Sequence, residues 1–206
     1  MMLETKNMEG KRGIDVSENN GAVDWAAVKA AGAEFAIVRI GYGNRHLDST
    51  FYRNINGAID AGLAVGVYFY SYALTMAQAE REAHFLVDTL KDCGLTADKL
   101  PMGVWFDMED ADGYKRRYSV TDCETLTEMC TAFVTVCELR GYKCGVYASL
   151  DWLENRLDTE EFDDVPIWCA QWDEDCEWEG AALWQFTDAW EIGGHVFDGN
   201  VCLGEA

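Results

Sequence analysis

Five apolar runs of strand character, separated by helices that carry their own start and stop signals, constrain this chain most. The runs occupy 13–17, 35–41, 64–72, 102–109 and 143–149. Between them, "DWAAVKAAG" runs from Asp24 as N-cap to Gly32 as stop, and "DSTFYRNINGAIDAG" runs from Asp48 to Gly62. "TMAQAEREAHFLVDTLKDCG" sets Thr75 and Gln78 at capping-box spacing and stops at Gly94. "TDCETLTEMCTAFVTVCELRG" does the same with Thr121 and Glu124 and stops at Gly141. A fifth, weaker helix follows Ser149. Such alternation calls for parallel strands joined by helical crossovers. "GLAVGVYFY" and "GYKCGVYAS" repeat one such unit faintly, each a helix stop followed by a strand through Gly-Val-Tyr.

The pattern changes after residue 166. Three further runs, at 166–172, 181–187 and 195–198, leave gaps of about eight to ten residues, too short for a full crossover helix. Eight strands with about five helices imply an α/β fold, an irregular TIM-like barrel lacking some of its outer helices. A complete barrel of this type takes about 250 residues, so 206 suits a trimmed one. No Pro/Gly/Ser linker divides the chain, so residues 13–206 read as one barrel domain and residues 1–12 as an N-terminal extension without ordered structure. No run approaches the roughly 20 apolar residues of a membrane span, and "MMLETKNMEGKRG" has no apolar segment of a signal peptide. The expectation is a monomer without membrane contact.

Net charge is −21, and between Asp151 and Glu179 twelve acids stand against Arg156 alone. That surface repels phosphate backbones, which argues against nucleic acid as a partner. The eight cysteines do not read as a disulfide framework. Cys123, Cys130 and Cys137 recur every seven residues within one helix, and seven helical residues rise about 10.5 Å, beyond disulfide reach. With no CxxC pair, a zinc site is not expected either. They read as small apolar packing residues and reduced thiols.

In barrels of this kind the chemistry sits at the C-terminal ends of the strands. "GVWFDMED" places Asp107 and Glu109 on one face of its strand and Asp110 on the other. Asp15 lies in the first strand and Asp198 in the last, and closure makes those two neighbours. Two carboxylates about 6 Å apart repel by roughly 3 kcal/mol at an effective dielectric of 20. One of them is then held protonated near neutral pH. A neutral acid beside ionised partners is what glycoside hydrolysis requires. The same acids could instead cap loops, pair with Arg39 or lysines, or hold Mg²⁺ or Ca²⁺. His46, His84 and His195 are scattered, GxSxG is missing, "GYGNRH" lacks the third glycine of a dinucleotide loop, and there is no P-loop. Tyr42, Tyr68, Tyr70, Tyr72, Tyr147, Trp172 and Trp184 fall at or near strand ends, where flat rings suit sugar faces.

The motifs "GIDVSENNGAVDWAAVK", "FAIVRIGYG", "AGLAVGVYFYSYA", "WFDMED", "GVYAS", "IWCAQW", "LWQF" and "FDGNV" together resemble, in order, glycoside hydrolase family 25, the Chalaropsis-type lysozymes or N-acetylmuramidases. The resemblance covers residues 13 to about 201. It implies an irregular barrel with three bare strands and cleavage of the β-1,4 bond between N-acetylmuramic acid and N-acetylglucosamine in bacterial peptidoglycan. It implies action outside the cell on the wall, with no cofactor and no metal. The family's acid–base Glu falls on Glu109, the Asp of its Asp-x-Glu motif on Asp107, its first-strand Asp on Asp15 and its last-strand Asp on Asp198. Here the last motif reads Asp-Gly-Asn, with Gly199 where a bulkier residue is common. Substrate contacts are expected from Arg39, Tyr42, Tyr68, Tyr70, Tyr147, Trp172 and Gln185. An inactive wall-binding barrel and a metal-dependent phosphoesterase are the alternative readings.

Overall fold

The computed structural model describes residues 8–162 and 164–204, so residues 1–7 of the expected extension lie outside it. The strands are β1 (Arg12–Val16), β2 (Phe35–Tyr42), β3 (His46–Leu47), β4 (Ala64–Tyr70), β5 (Val104–Asp107), β6 (Cys144–Ser149), β7 (Ile167–Ala170), β8 (Leu183–Ile192) and β9 (His195–Cys202). The helices are α1 (Trp25–Ala30), α2 (Phe51–Asp60), α3 (Met76–Asp92), α4 (Tyr114–Arg117), α5 (Cys123–Glu138) and α6 (Leu150–Asn155). Eight strands close into a barrel in the order β1-β2-β4-β5-β6-β7-β8-β9 and back to β1, as the alternation predicts; β3 is a short flap on the end of β2. Among the described residues no helix is long and apolar enough to cross a membrane.

Strand periodicity divides the core in two. Outward-facing Val38, Val67, Phe106 and Val146 pack against Leu86, Leu90, Met129 and Phe133 of the helical layer. Inward-facing Phe35, Ile37, Trp105, Trp168 and Leu183 fill the lower half of the barrel, with Met102 beside them. Two glycines make room for that filling. A Cβ on Gly145 would lie 2.4 Å from the Trp105 ring, and one on Gly13 equally close to Phe35.

The structure completes some local expectations and corrects others. Strand β9 runs antiparallel to both β8 and β1, because β8 continues to Ile192 and only Gly193–Gly194 separate it from β9. The chain joins the barrel before Gly13: Met8 is buried against the lower filling, and the Gly10 N–H donates to the Cys202 carbonyl at 2.8 Å. Helix α2 begins at Phe51 rather than near Asp48, whose carboxylate is taken by Arg39 and Thr50. Asp122, not Thr121, caps α5, which leaves Glu124 one place too early for a capping box. At α3, Thr75 does accept from the Gln78 N–H, but the Gln78 side chain reaches past it to Leu74. The short α4 was not expected. All eight cysteines are free thiols.

Candidate active site

The inward register that carries apolar residues below carries polar ones at the C-terminal rim. Asp15, Arg39, Tyr68, Tyr70, Asp107, Glu109, Tyr147, Gln185 and Asp198 line one cleft of about 320 Å³. Its far ends in sequence are joined by the closure, where β1 and β9 pair Asp15 directly with Asp198.

Strand β5 ends at Asp107, Met108 turns outward into the helix-packed core, and Glu109 returns to the cleft side. The segment is fixed through its backbone. The Met108 N–H donates to the Tyr147 carbonyl at 2.9 Å, and the Ser71 N–H to the Asp107 carbonyl at 3.1 Å. Lys115, fully buried, donates from Nζ to the Glu109 carbonyl at 2.9 Å and to the Ser71 carbonyl. Asp107 is only 5% exposed, yet among the described residues its Oδ1 has no hydrogen-bond partner. Burial holds the Asp107 carboxyl well above the usual carboxylate range, the neighbouring Glu109 charge adds to this, and Lys115 opposes it. Burial likewise raises Glu109, with Lys115 again opposing and Asp198 reinforcing.

The opposite wall is a hydrogen-bonded network centred on Asp15. Asp15 Oδ2 accepts from Asn200 Nδ2 at 2.8 Å and from Gln185 Nε2 at 2.9 Å. Gln185 Oε1 accepts from the Tyr147 hydroxyl at 3.1 Å and from Trp172 Nε1 at 3.3 Å; Asn200 Oδ1 accepts from Trp168 Nε1 at 2.9 Å. Burial and then the Asp198 charge push Asp15 well above its ordinary value, and burial pushes Asp198 up to about 6. Two carboxylates facing each other out of water hold one proton between them more readily than none.

The expected substrate residues divide accordingly. Tyr68, Tyr70 and Tyr147 line the cleft. Gln185 lines it too, but its amide is committed to Asp15, Tyr147 and Trp172, so it positions rather than presents. Trp172 stands 61% exposed on the rim. Arg39 reaches the cleft while pairing with Asp48 at 2.8 Å and Glu18 at 3.2 Å, not with the central acids. Its guanidinium lies 5.0 Å above the Tyr42 ring, which stacks on His46 at the rim. Tyr72 lines a neighbouring hollow, and Trp184 faces outward, donating to the Gln171 carbonyl. Asp110 turns away and accepts from the Lys115 and Arg116 N–H groups at the start of α4. Sequence reasoning missed Asn200, which the two-residue period from Asp198 could have found, and Lys115, which nothing in "YKRR" marks as buried. Among the described residues no three His, Cys, Asp or Glu side chains are grouped to hold a metal ion.

Comparison with known proteins agrees with this fold. The sequence model of glycosyl hydrolases family 25 matches residues 14–195. The chain is 25% identical over 166 residues to the autolytic lysozyme of Clostridium acetobutylicum, covering 78% of this chain and 45% of that protein. It is 24% identical over 203 residues to the N,O-diacetylmuramidase of Arthroderma benhamiae, covering 92% and 83%. Among solved structures, the modular autolysin LytC from Streptococcus pneumoniae, determined with a synthetic peptidoglycan ligand, superposes with a TM-score of 0.81 at 25% identity. That match covers 93% of this chain and 46% of LytC, so the chain spans less than half the length of LytC and of the Clostridium lysozyme.

Proposed function

Because the chain belongs to glycosyl hydrolases family 25, we propose that it is a peptidoglycan-cleaving lysozyme, hydrolysing the β-1,4 bond between N-acetylmuramic acid and N-acetylglucosamine of the bacterial wall, outside the cell. The observation that carries this reading is the pair at the end of β5: Glu109, raised by burial, beside Asp107, whose buried Oδ1 is unpartnered among the described residues. A buried acceptor left without a donor is costly unless a ligand supplies one.

An N-acetyl group supplies that donor. Its N–H, bonded to Asp107 Oδ1, stabilises the charged carboxylate and lowers its proton affinity. The negative charge now fixed on Asp107 raises the affinity of Glu109, two residues away, for a proton. Glu109 then donates that proton to the glycosidic oxygen as the C1–O bond breaks. The acetamido carbonyl oxygen, oriented by Asp107, bonds to C1 and takes up the developing positive charge. Glu109, now ionised, removes a proton from water as that water opens the cyclic intermediate, and the original configuration returns. Asp198, paired with Asp15 across the cleft, contributes negative charge that helps hold Glu109 protonated. Tyr68, Tyr70 and Tyr147 offer ring faces to the sugars.

Glu109→Gln tests the assignment. Lysis of bacterial walls, followed by turbidity and new reducing ends, should fall by at least the ~10²–10⁴-fold that general acid catalysis supplies, with the thermal midpoint retained. Near wild-type lysis by this variant overturns the role of Glu109. Release of the inverted anomer first, read by proton NMR, overturns the acetamido-assisted route in favour of direct attack by water.

A further inference from the structure

Beside the cleft lies a second hollow, of about 380 Å³, between the β2–β3 turn, the start of α3 and α4. Two guanidinium groups, Arg45 and Arg81, face it, in a chain whose net charge is −21. Among the described residues neither forms an ion pair. Glu82 also borders the hollow, but it is buried and its carboxylate accepts from the Ser71 hydroxyl and the Tyr72 N–H. Asp112, the other acid nearby, accepts from the Tyr72 hydroxyl at 2.9 Å and from the Tyr114 N–H. Neither guanidinium therefore has a carboxylate within ion-pair distance among the described residues, although the Glu82 charge acts on Arg81 from the border of the hollow.

The backbone holds one of them at a cost. Arg45 has φ of 60°, a left-handed conformation that favours glycine, and its N–H donates to the Gly43 carbonyl at 2.7 Å. Strain of this kind marks functional segments more often than chance. Here it projects the guanidinium over α3, with its carbon 6.0 Å from the Phe85 ring centroid. The hollow also adjoins the cleft through a row of aromatic rings. Tyr70, a cleft residue, lies 5.1 Å from Tyr72, and Tyr72 lies 4.9 Å from Tyr114, both of which border the hollow.

We propose that this hollow receives the peptide stem of the muramic acid residue bound in the cleft, with Arg45 and Arg81 binding its carboxylates. The proposal rests on the peptidoglycan reading above. In stem-bearing glycan the lactyl carboxyl is tied up as an amide and the sugars are uncharged, so they need no arginines. An amidase leaves one lactyl carboxylate per muramic acid but removes the carboxylates farther along the stem. The stem branches from the lactyl ether of muramic acid and carries free carboxylates, which a guanidinium fork matches. Three extended residues, at roughly 3.3 Å each, span the two ring-to-ring steps from Tyr70 to Tyr114.

The test compares kcat/KM on glycan chains of one length, with stems intact and with stems removed by an amidase. For the wild type the intact chains should be preferred, and in R45A/R81A that preference should fall about tenfold, as expected for losing charged hydrogen bonds. R45K/R81K should restore part of it, since charge returns without the planar fork. An unchanged preference, or an equal loss on both substrates, overturns the proposal. Walls before and after removal of their phosphate polymers form a second arm; a variant defect that disappears with the polymer assigns the hollow to phosphate and also overturns it. Should the wild type cleave neither glycan, the lysozyme reading fails separately. Calorimetry with the free stem tripeptide then decides the hollow: binding lost in R45A/R81A supports it, and no binding by the wild type overturns it.

Discussion

The lower and upper halves of the barrel interior use the same strands and the same inward register, yet obey opposite rules. Below, Phe35, Ile37, Trp105 and Trp168 fill the space, and glycines at 13 and 145 are required because the filling is so dense. Above, Asp15, Asp107, Glu109 and Asp198 sit together with raised proton affinities, and a fully buried oxygen of Asp107 has no protein partner among the described residues. On β5 the change takes two residues, from Trp105 to Asp107, both facing inward. The comparison teaches that the lower half stabilises an upper half that would not be stable by itself. Hydrophobic burial there offsets the desolvation of acids that the cleft keeps out of water.

Three changes would break or sharpen that contrast. The largest is Phe35→Ala in the lower half. Removing a fully buried ring should cost about 3–5 kcal/mol of stability, measured by chemical denaturation, while kcat/KM of the folded fraction stays within a few-fold. A comparable loss of activity would show that the halves are not separable. Next, Asp107→Asn should lower wall lysis by about 10²-fold while leaving the protein as stable as the wild type or more so at neutral pH, because a desolvated acid is replaced by a neutral amide. A clear drop in its denaturation midpoint would contradict the idea that this carboxylate is kept for chemistry.

The smallest effect concerns pH. Burial pushes Glu82, behind the cleft, up to about 7, and Asp198 up to about 6. Both values lie above those of the unfolded chain, so between pH 4 and 7 the folded protein binds more protons than the unfolded one. Its stability is full below that window and is lost as pH rises through it. The thermal midpoint should therefore be higher at pH 5 than at pH 8, by roughly 5 °C for a chain of this size. Glu82→Gln, which keeps the contacts to Ser71 and Tyr72 without the charge, should flatten the slope. A slope unchanged in this variant would assign it to the other acids.

What the sequence made legible depended on period and separation. The two-residue alternation of β5 put Asp107 and Glu109 on one face before any coordinates, and helix stops at Gly62, Gly94 and Gly141 set the order of the units. Asp48 misled because "DST" before an apolar run also reads as a helix cap, and only the fold brings Arg39 to it. Lys115 was illegible for a related reason: its partner at Ser71 is 44 residues away, and its own surroundings are basic. The short gaps after residue 166 left the direction of the last strands open, and Gly193–Gly194, a hairpin signal, is what turns β9 antiparallel to β8.

That hairpin has a consequence for how this site can change over time. In a barrel of parallel strands the loops after each strand vary independently and reshape the mouth without disturbing the wall. Here Asp198 and Asn200 enter from a strand running the other way, with no helix between β8 and β9 and with the hairpin tip at Gly193 pressed against the backbone of α1. Insertions on that side would shift the strand register and turn Asp198 out of the cleft. Diversification is thus confined to the opposite rim, where the β2–β3 turn and α4 border the hollow beside the cleft.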